Sequence, residues 1–187
     1  MSKSHSARPT SAGESHAIVN GDRVTTRPVQ ASDLPAILRW WTDPVVMSEV
    51  RATRFSVTLS QLQTEYWPRW ENPGLADYHQ FVICLRGRPV GEIGYRLADG
   101  DPTMATVDIK IGEPELWGQG IGSAAMRLFV AFLRERAGVA TIVAEPGAWN
   151  ERSLRMFRSL GFREVDRRTT EATSTYDGGV AVRMVLD

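Results

Sequence analysis

The chain has 187 residues, 22 basic and 22 acidic side chains, and one cysteine. This length predicts one domain, and a hydrophobic content of 42% is enough for one packed core. The zero net charge argues against nucleic acid as a partner, because phosphate contacts usually need a basic excess. The single cysteine excludes an internal disulfide and a cysteine-based zinc site, and no apolar run approaches the length of a membrane span or signal peptide. We therefore expect a cytoplasmic globular protein that binds neither membranes nor nucleic acid.

The first 21 residues differ in composition from the rest of the chain. Residues 1–21 are rich in Ser, Ala, Gly, Thr and Pro and have no apolar period, which predicts a disordered tail. Residues 22–187 alternate between helix and strand signals and are predicted to form the single folded domain. It opens with a strand at 23–29, a helix that begins after Ser32, and a second helix that Thr58 caps.

The remaining elements follow in an order that defines a fold class. Three strand signals come first, and helices and strands then alternate to the end of the chain. Strands are predicted at 79–86, 89–97, 104–111, 139–144, 162–168 and 180–186, and helices at 123–136 and 151–160. This order predicts an α/β fold with a single mixed central β-sheet flanked by helices.

The most informative segment is 107–123, which contains a glycine-rich turn. Glycines 118, 120 and 122 lie directly before a helix, where free backbone N–H groups and the helix dipole can hold a phosphate. The turn is not a P-loop, because no Lys follows Gly122, and it departs from the dinucleotide fingerprint at Ser123. An ordinary helix start with turn glycines is the remaining alternative.

Two motifs together resemble the GNAT N-acetyltransferase superfamily. The run Trp117-Gly-Gln-Gly-Ile-Gly122 resembles its pyrophosphate-binding loop, except that Trp117 stands where Arg or Gln is usual. A second hallmark, which resembles Asn-x-x-Ala/Ser-x3-Tyr-x3-Gly-Phe, is carried by Asn150, Ser153, Phe157, Gly161 and Phe162. The resemblance covers roughly residues 23–187.

The resemblance implies a cosubstrate and the residues that bind it. In this superfamily two central parallel strands splay apart, here 104–111 and 139–144, and acetyl-CoA lies between them. No metal is expected. The residues implied in acetyl-CoA binding are Ile109, Lys110, Ile111, Trp117, Gly118, Gln119, Gly120, Ile121, Gly122, Ser123, Asn150, Ser153 and Phe157. Phe157 replaces a Tyr that often protonates the leaving thiolate in this superfamily, so the sequence shows no evident residue for that general-acid role.

Asp108 is the candidate catalytic base. It lies in mid-strand among Val107, Ile109 and Ile111, where an unpaired carboxylate would be costly. The alternative is a polar strand face on which Asp108 forms a salt bridge with Lys110. By family resemblance, a backbone N–H near Ile109 or Lys110 would stabilise the oxyanion.

Within the superfamily the chain resembles the aminoglycoside 6′-N-acetyltransferases and the siderophore hydroxylysine acetyltransferases. That resemblance assigns an aromatic pair and two acidic positions to the substrate site, and two further aspartates would add to an acidic wall. The candidate substrate-binding residues are Trp40, Trp41, Asp99, Asp101, Glu145 and Asp177. Alternatively, at least one of the two tryptophans belongs to the core, and Asp177-Gly178 is a plain hairpin turn.

The sequence thus predicts an acetyl-CoA-dependent N-acetyltransferase that acts on a primary amine of a small cationic, aminoglycoside-like substrate. Three alternatives are a siderophore-precursor acetyltransferase, a ribosomal-protein-type N-terminal acetyltransferase, and a CoA-binding domain without catalysis. An acidic pocket would favour the first function, and a groove for an extended peptide would favour the N-terminal acetyltransferase. A monomer or homodimer is expected.

Overall fold

A computed structural model describes residues 16–19, 21–50, 52, 55–72, 78–173 and 177–187. Eight strands form one sheet in the order β1-β2-β3-β4-β5-β6-β8-β7. All neighbouring pairs are antiparallel except β5 and β6, which are parallel. The strands are β1 (His16–Val19), β2 (Asp22–Pro28), β3 (His79–Leu85), β4 (Arg88–Ala98), β5 (Asp101–Ile111), β6 (Thr141–Ala144), β7 (Arg163–Thr170) and β8 (Gly179–Leu186). The predicted mixed central sheet is confirmed.

Helices flank the sheet on both faces. Asp43 caps a short helix that directly follows the first one, by accepting hydrogen bonds from the Val45 and Val46 N–H groups. Between α3 and α4 the backbone is π-helical over Leu62–Tyr66. The helices are α1 (Leu34–Thr42), α2 (Pro44–Ser48), α3 (Leu59–Gln61), α4 (Trp67–Glu71), α5 (Ile121–Arg136) and α6 (Glu151–Ser159). None of those in the described part of the chain combines the length and apolar character that a bilayer crossing requires.

The two faces of the sheet carry two separate hydrophobic clusters. Side chains alternate along a strand, so Ile83 of β3 packs with the helix α5 residue Phe129 on one face. Its neighbours Val82 and Cys84 pack with Ile37 and other α1 residues on the opposite face. Burial raises the pKa of the Cys84 thiol, in keeping with a core residue.

The N-terminal region contains a strand that the sequence did not predict. Strand β1 pairs antiparallel with β2, from His16 opposite Thr25 to Val19 opposite Asp22. The expectation of a disordered tail was therefore wrong for these four residues, and the other residues of the tail up to position 20 lie outside the described part.

The parallel strands β5 and β6 stop pairing with each other about halfway along β5. They pair from Met104 opposite Thr141 to Val107 opposite Ala144, after which β5 runs on to Ile111 with β4 as its partner. The edge of β5 that faces away from β4 is therefore open over its last residues. This opening creates the wedge that the family resemblance implied.

One side of the wedge is formed by helix α6, whose start is fixed by a side chain. Asn150 accepts a hydrogen bond from the Ser153 N–H at 2.9 Å and its amide donates to the Glu49 carbonyl at 3.3 Å. Gly161, with φ of +92°, follows the end of the helix in a left-handed conformation that favours glycine. The helix thus begins at the predicted residue and ends one residue before the predicted end at 160.

We expect Asn150→Ala to lower the free energy of unfolding by about 0.5–2 kcal/mol, because the first turn of α6 loses its capping acceptor. Asn150→Ser is the matched control, since serine caps helices about as well as asparagine. Chemical denaturation of the three proteins measures the effect. Equal losses in both variants would show that the cap does not contribute to stability.

Candidate active site

The glycine turn presents an array of free N–H groups at the start of α5. Gly118 and Gly120 have φ of +76° and +83°, a left-handed conformation that β-branched side chains rarely adopt. The first intrahelical hydrogen bond is donated by the Ala124 N–H to the Gly120 carbonyl at 3.0 Å. The N–H groups of residues 121–123 precede it, so they point out of the helix and can bind an anion.

The turn borders a cavity of about 400 Å³ between the end of β5 and helix α6, which we call the wedge cavity. Three of its walls are the end of β5, the glycine turn and helix α6. The fourth is formed by Val46 of α2 and by Glu49 and Val50, which follow that helix. The lining includes Ile109, Lys110, Ile111, Leu116, Trp117, Gly118, Gly120, Ile121, Gly122, Ser123, Asn150, Arg152, Ser153, Arg155, Met156 and Ser159. Eleven of the thirteen residues expected to bind acetyl-CoA are brought together here.

The other two, Gln119 and Phe157, do not line the wedge cavity. The Gln119 side chain is exposed and donates to the Glu115 carbonyl at 2.8 Å. Phe157 is only 3% exposed and packs against Phe162, with ring centroids 5.0 Å apart. Its assignment to the cofactor site was therefore wrong: the apolar ring faces the core side of α6.

Trp117 has a structural role in the wedge. Its indole N–H donates to the Ile111 carbonyl at 2.8 Å, which shows that this peptide group faces away from β4. Because peptide groups alternate along a strand, those of Ile109 face the same open edge. The Arg152 guanidinium lies 4.3 Å from the Trp117 ring centroid, so an arginine stands beside the turn although the family's usual position holds a tryptophan.

A second cavity of about 530 Å³ adjoins the first, and we call it the aromatic cavity. Val50, Ile109 and Lys110 line both cavities, so the two meet at the middle of β5. The other lining residues of the aromatic cavity are Trp41, Met47, Phe55, Tyr66, Arg69, Trp70, Tyr78, Gln80, Glu92, Arg96 and Asp108.

Asp108 projects into the aromatic cavity, where its side chain remains exposed. The Tyr78 hydroxyl donates a hydrogen bond of 2.7 Å to its carboxylate. Desolvation by the surrounding protein raises the pKa of Asp108 to about 6, against the Tyr78 hydrogen bond, which lowers it. Desolvation, followed by the Asp108 charge, also raises the pKa of Tyr78 well above 10, so its hydroxyl stays protonated. Gly94 gives Tyr78 its space, since a Cβ there would lie 2.0 Å from the hydroxyl.

Glu92 is the other carboxylate of this cavity, and it is 5% exposed. It accepts hydrogen bonds from Lys110 Nζ at 2.8 Å, Trp41 Nε1 at 2.7 Å and Gln80 Nε2 at 2.9 Å. Lys110 therefore forms its ion pair with Glu92. The alternative interpretation of Asp108, as the salt-bridge partner of Lys110, was wrong.

The predicted aromatic pair is divided between the core and the cavity. Trp40 is fully buried, and its indole N–H donates to Glu113 at 3.1 Å. Its assignment to the substrate site was therefore wrong. Trp41 lines the aromatic cavity, because neighbouring residues on a helix point in different directions.

None of the four predicted acidic substrate residues is among the described residues that line the two cavities. Asp99 lies in the turn between β4 and β5, and Asp101, which starts β5, accepts hydrogen bonds from Thr103. Glu145 forms ion pairs with Arg168 and Arg183. Asp177 lies just before β8 and is not among the described lining residues of either cavity. The expected acidic wall is therefore not formed by these residues.

Sequence reasoning missed Tyr78, Glu92 and the aromatic residues beyond Trp41. Tyr66 and Trp70 carry a helical spacing, which equally predicts a core stripe. Glu92 had a usable signal, since a charged residue between Gly91 and Ile93 in a buried strand needs partners. Tyr78 had none, because only the tertiary structure brings it to Asp108.

Comparison with known proteins agrees with this geometry. The sequence model of the family described as "Acetyltransferase (GNAT) domain" matches residues 23–163. The aminoglycoside N(6')-acetyltransferase type 1 of Klebsiella pneumoniae is 24% identical over 176 residues, covering 89% of this chain and 84% of that protein. The crystal structure of aminoglycoside acetyltransferase AAC(6')-Ib with coenzyme A superposes with a TM-score of 0.70 at 23% identity, covering 87% of this chain and 94% of the other.

A further relative is the mouse (Mus musculus) alpha/beta-tubulin-N-acetyltransferase 9, 35% identical over 77 residues. These residues are 41% of this chain and 32% of that protein, so the match spans about a third of the relative's length. The family match extends over most of the chain and includes the glycine turn, Asp108 and Asn150. The chain therefore belongs to the GNAT acetyltransferase family.

Proposed function

We propose that the protein transfers an acetyl group from acetyl-CoA to a primary amine, with the cosubstrate in the wedge cavity and the amine in the aromatic cavity. The observation that carries this proposal is the junction of the two cavities at Ile109 and Lys110, with Asp108 directly before it on the side of the aromatic cavity. Two reactants held on either side of one strand segment can meet there.

The residues of the wedge cavity fit coenzyme A in three respects. The open edge of β5 offers peptide groups for the pantetheine amides, and the N–H groups of residues 121–123 suit the pyrophosphate. Arg152 and Arg155 add positive charge to the lining for the phosphates. Acetyl-CoA supplies an activated thioester. By the alternation of peptide groups, the N–H of Ile109 rather than that of Lys110 faces the cavity and would stabilise the oxyanion.

We assign to Asp108 the role of general base. With a pKa of about 6 it is ionised at neutral pH, yet basic enough to take a proton from an ammonium group. The resulting neutral amine forms the C–N bond as the C–S bond breaks, and the departing sulfur takes up one proton in exchange for the one that the nitrogen loses in becoming an amide. Tyr78 acts as a positioning residue, because its protonated hydroxyl holds the carboxylate. The buried, apolar Phe157 cannot supply the proton for sulfur.

Two acceptor classes have support from different observations. An aminoglycoside-like amine is supported by the likeness to the Klebsiella enzyme, but the acidic wall that a polycation needs is not formed by the predicted residues. A protein amino group is supported by the likeness to the tubulin acetyltransferase. Assays of CoA release with aminoglycosides, hydroxylysine and peptides separate these classes and the siderophore alternative, and release with any amine excludes a domain without catalysis.

Replacing Gly120 with valine should weaken acetyl-CoA binding by at least tenfold. The β-branched side chain is strained at a φ of +83°, so the turn that presents the N–H groups would have to change its backbone conformation. Gly100→Val is the matched control, since Gly100 has a φ of +78° in the distant turn between β4 and β5. Calorimetric titration with acetyl-CoA measures the affinity of both variants. Unchanged affinity in a folded Gly120→Val protein would remove the pyrophosphate assignment.

Asp108→Asn should reduce turnover by about 10²- to 10⁴-fold while acetyl-CoA binding is retained, because the amide cannot accept a proton. In the wild type, kcat/KM should fall with a single-proton limb below about pH 6, where the carboxylate becomes protonated. The limb should be absent from the variant. Asp101→Asn, which removes an exposed carboxylate outside both cavities, is the control and should keep wild-type activity. Retention of more than half the activity by Asp108→Asn would contradict the assignment.

The same substitution should stabilise the fold at neutral pH. The folded-state pKa of Asp108 is raised from 3.8 to about 6, so its contribution to stability is present below about pH 3.8 and is lost as pH rises through 6. Asp108→Asn should therefore melt at a higher temperature than the wild type above pH 7, and the difference should vanish near pH 4. Thermal melts across this pH range measure the difference in melting temperature between the variant and the wild type. A less stable variant at neutral pH would indicate a structural role for the carboxylate.

A further inference from the structure

We propose that the natural acceptor is a zwitterionic monoamine, with one ammonium group, one carboxylate, and an aromatic or aliphatic body between or beside them. This inference rests on the proposed function, because it concerns the occupant of the aromatic cavity. It replaces the polycationic acceptor that the sequence predicts with a class defined by the charges and surfaces of the cavity itself.

The first argument concerns the number of carboxylates that a substrate can reach. Among the described residues that line the aromatic cavity, two are acidic, Glu92 and Asp108. Glu92 is buried and accepts hydrogen bonds from three donors, one of which is the ammonium group of Lys110. Its charge is therefore already neutralised within the protein, and a substrate ammonium would have to displace Lys110 to use it.

Asp108 differs from Glu92 in its exposure and in the charge of its hydrogen-bond donor. Its side chain is exposed to the cavity, and the Tyr78 hydroxyl, a neutral donor, is the partner that holds it. One ionised carboxylate can pair with one substrate ammonium by a charge-assisted hydrogen bond. Among the described residues that line the cavity, no further carboxylate is available to a substrate, so each additional ammonium of an aminoglycoside or polyamine would lose its hydration there without a comparable partner.

The second argument concerns the walls. The Trp41 ring makes edge-on contacts with Phe55, Tyr66 and Trp70 at centroid distances of 5.5, 5.2 and 5.9 Å. All four rings are only half-buried by the protein, and all four line the cavity. Their remaining surface would gain by covering an apolar or aromatic body, whereas the hydroxyl-rich rings of an aminoglycoside offer little apolar area.

The third argument concerns the cations of the cavity. Arg69, in the last turn of α4, lines the cavity with an exposed guanidinium, and it has no ion pair among the described residues. Arg96 also lines it, with its guanidinium 5.9 Å from the Tyr78 ring centroid. A guanidinium favours a carboxylate by paired hydrogen bonds and repels additional ammonium groups. An acceptor that carries a carboxylate as well as its amine satisfies Arg69 and Asp108 together.

The test compares acceptors of matched shape in the full-length enzyme. Phenethylamine, phenylalanine and the dipeptide Phe-Gly share an aromatic body and one amine, and the last two also carry a carboxylate. Kanamycin and spermidine represent polycations. We expect kcat/KM, measured by CoA release, to be highest for one of the carboxylate-bearing amines and at least tenfold lower for both polycations. A preference for either polycation would overturn the proposal.

Arg69→Gln tests the carboxylate contact directly. We expect kcat/KM for the preferred carboxylate-bearing amine to fall by about tenfold or more, the effect of one charged hydrogen bond, with phenethylamine changed less than twofold. Arg127→Gln, at an exposed position of α5 outside both cavities, is the matched control and should change neither. An equal loss for phenethylamine, or no loss for either substrate, would contradict the role of Arg69.

Binding measurements separate this inference from the proposed function. Loss of both acetyl-CoA binding and CoA release with every amine would defeat the proposed function itself. If acetyl-CoA binds but turnover is undetectable, calorimetry of phenylalanine and Phe-Gly against the enzyme saturated with CoA decides the matter. Binding of either one, weakened by Arg69→Gln, supports the zwitterionic acceptor, and absence of binding by both overturns it.

Discussion

The parting of β5 from β6 after Val107 is the constraint on which the rest of the structure depends. A parallel sheet normally satisfies both edges of each inner strand, and here one edge of β5 is left open from Ile109 to Ile111 while β4 continues to pair with the other. Open peptide groups inside a protein need hydrogen-bond partners. Trp117 supplies one of them to the Ile111 carbonyl, and an extended ligand with amide groups suits the remainder.

Strand β5 serves the two cavities in different ways. Its exposed edge borders the wedge cavity, whereas its side chains alternate between the two faces of the sheet. Ile109 and Ile111 pack against the cluster on the α5 face, and Asp108 and Lys110 project to the opposite face beside Trp41. One short segment can therefore bind a cosubstrate through its backbone and an acceptor through its side chains. In the function proposed above, the geometry of the strand itself would set the distance between the two reactants.

The two carboxylates of the aromatic cavity illustrate how environment separates the roles of similar groups. Glu92 is surrounded by donors that include a cation, which stabilise its charge and tie β3, β4, β5 and α1 together. Asp108, two strand positions from Lys110, has a tyrosine hydroxyl in place of a cation. Desolvation, opposed by the Tyr78 hydrogen bond, raises the pKa of Asp108 to about 6, where a carboxylate is useful as a base. The same network that neutralises Glu92 also removes it from the reach of a substrate.

The sequence by itself determined most of the fold and the glycine turn before α5, because these depend on local signals. Apolar periodicity located the main strands and helices, the alternating glycines marked the turn before α5, and Asn150 marked a helix start. The tertiary structure alone decided the composition of the aromatic cavity. Trp40 and Trp41 are equivalent in sequence, and packing buries one and leaves the other at the cavity. Lys110 could pair with Asp108 or Glu92, and Tyr78 reaches Asp108 across 30 residues of chain, because sheet register sets which side chains meet.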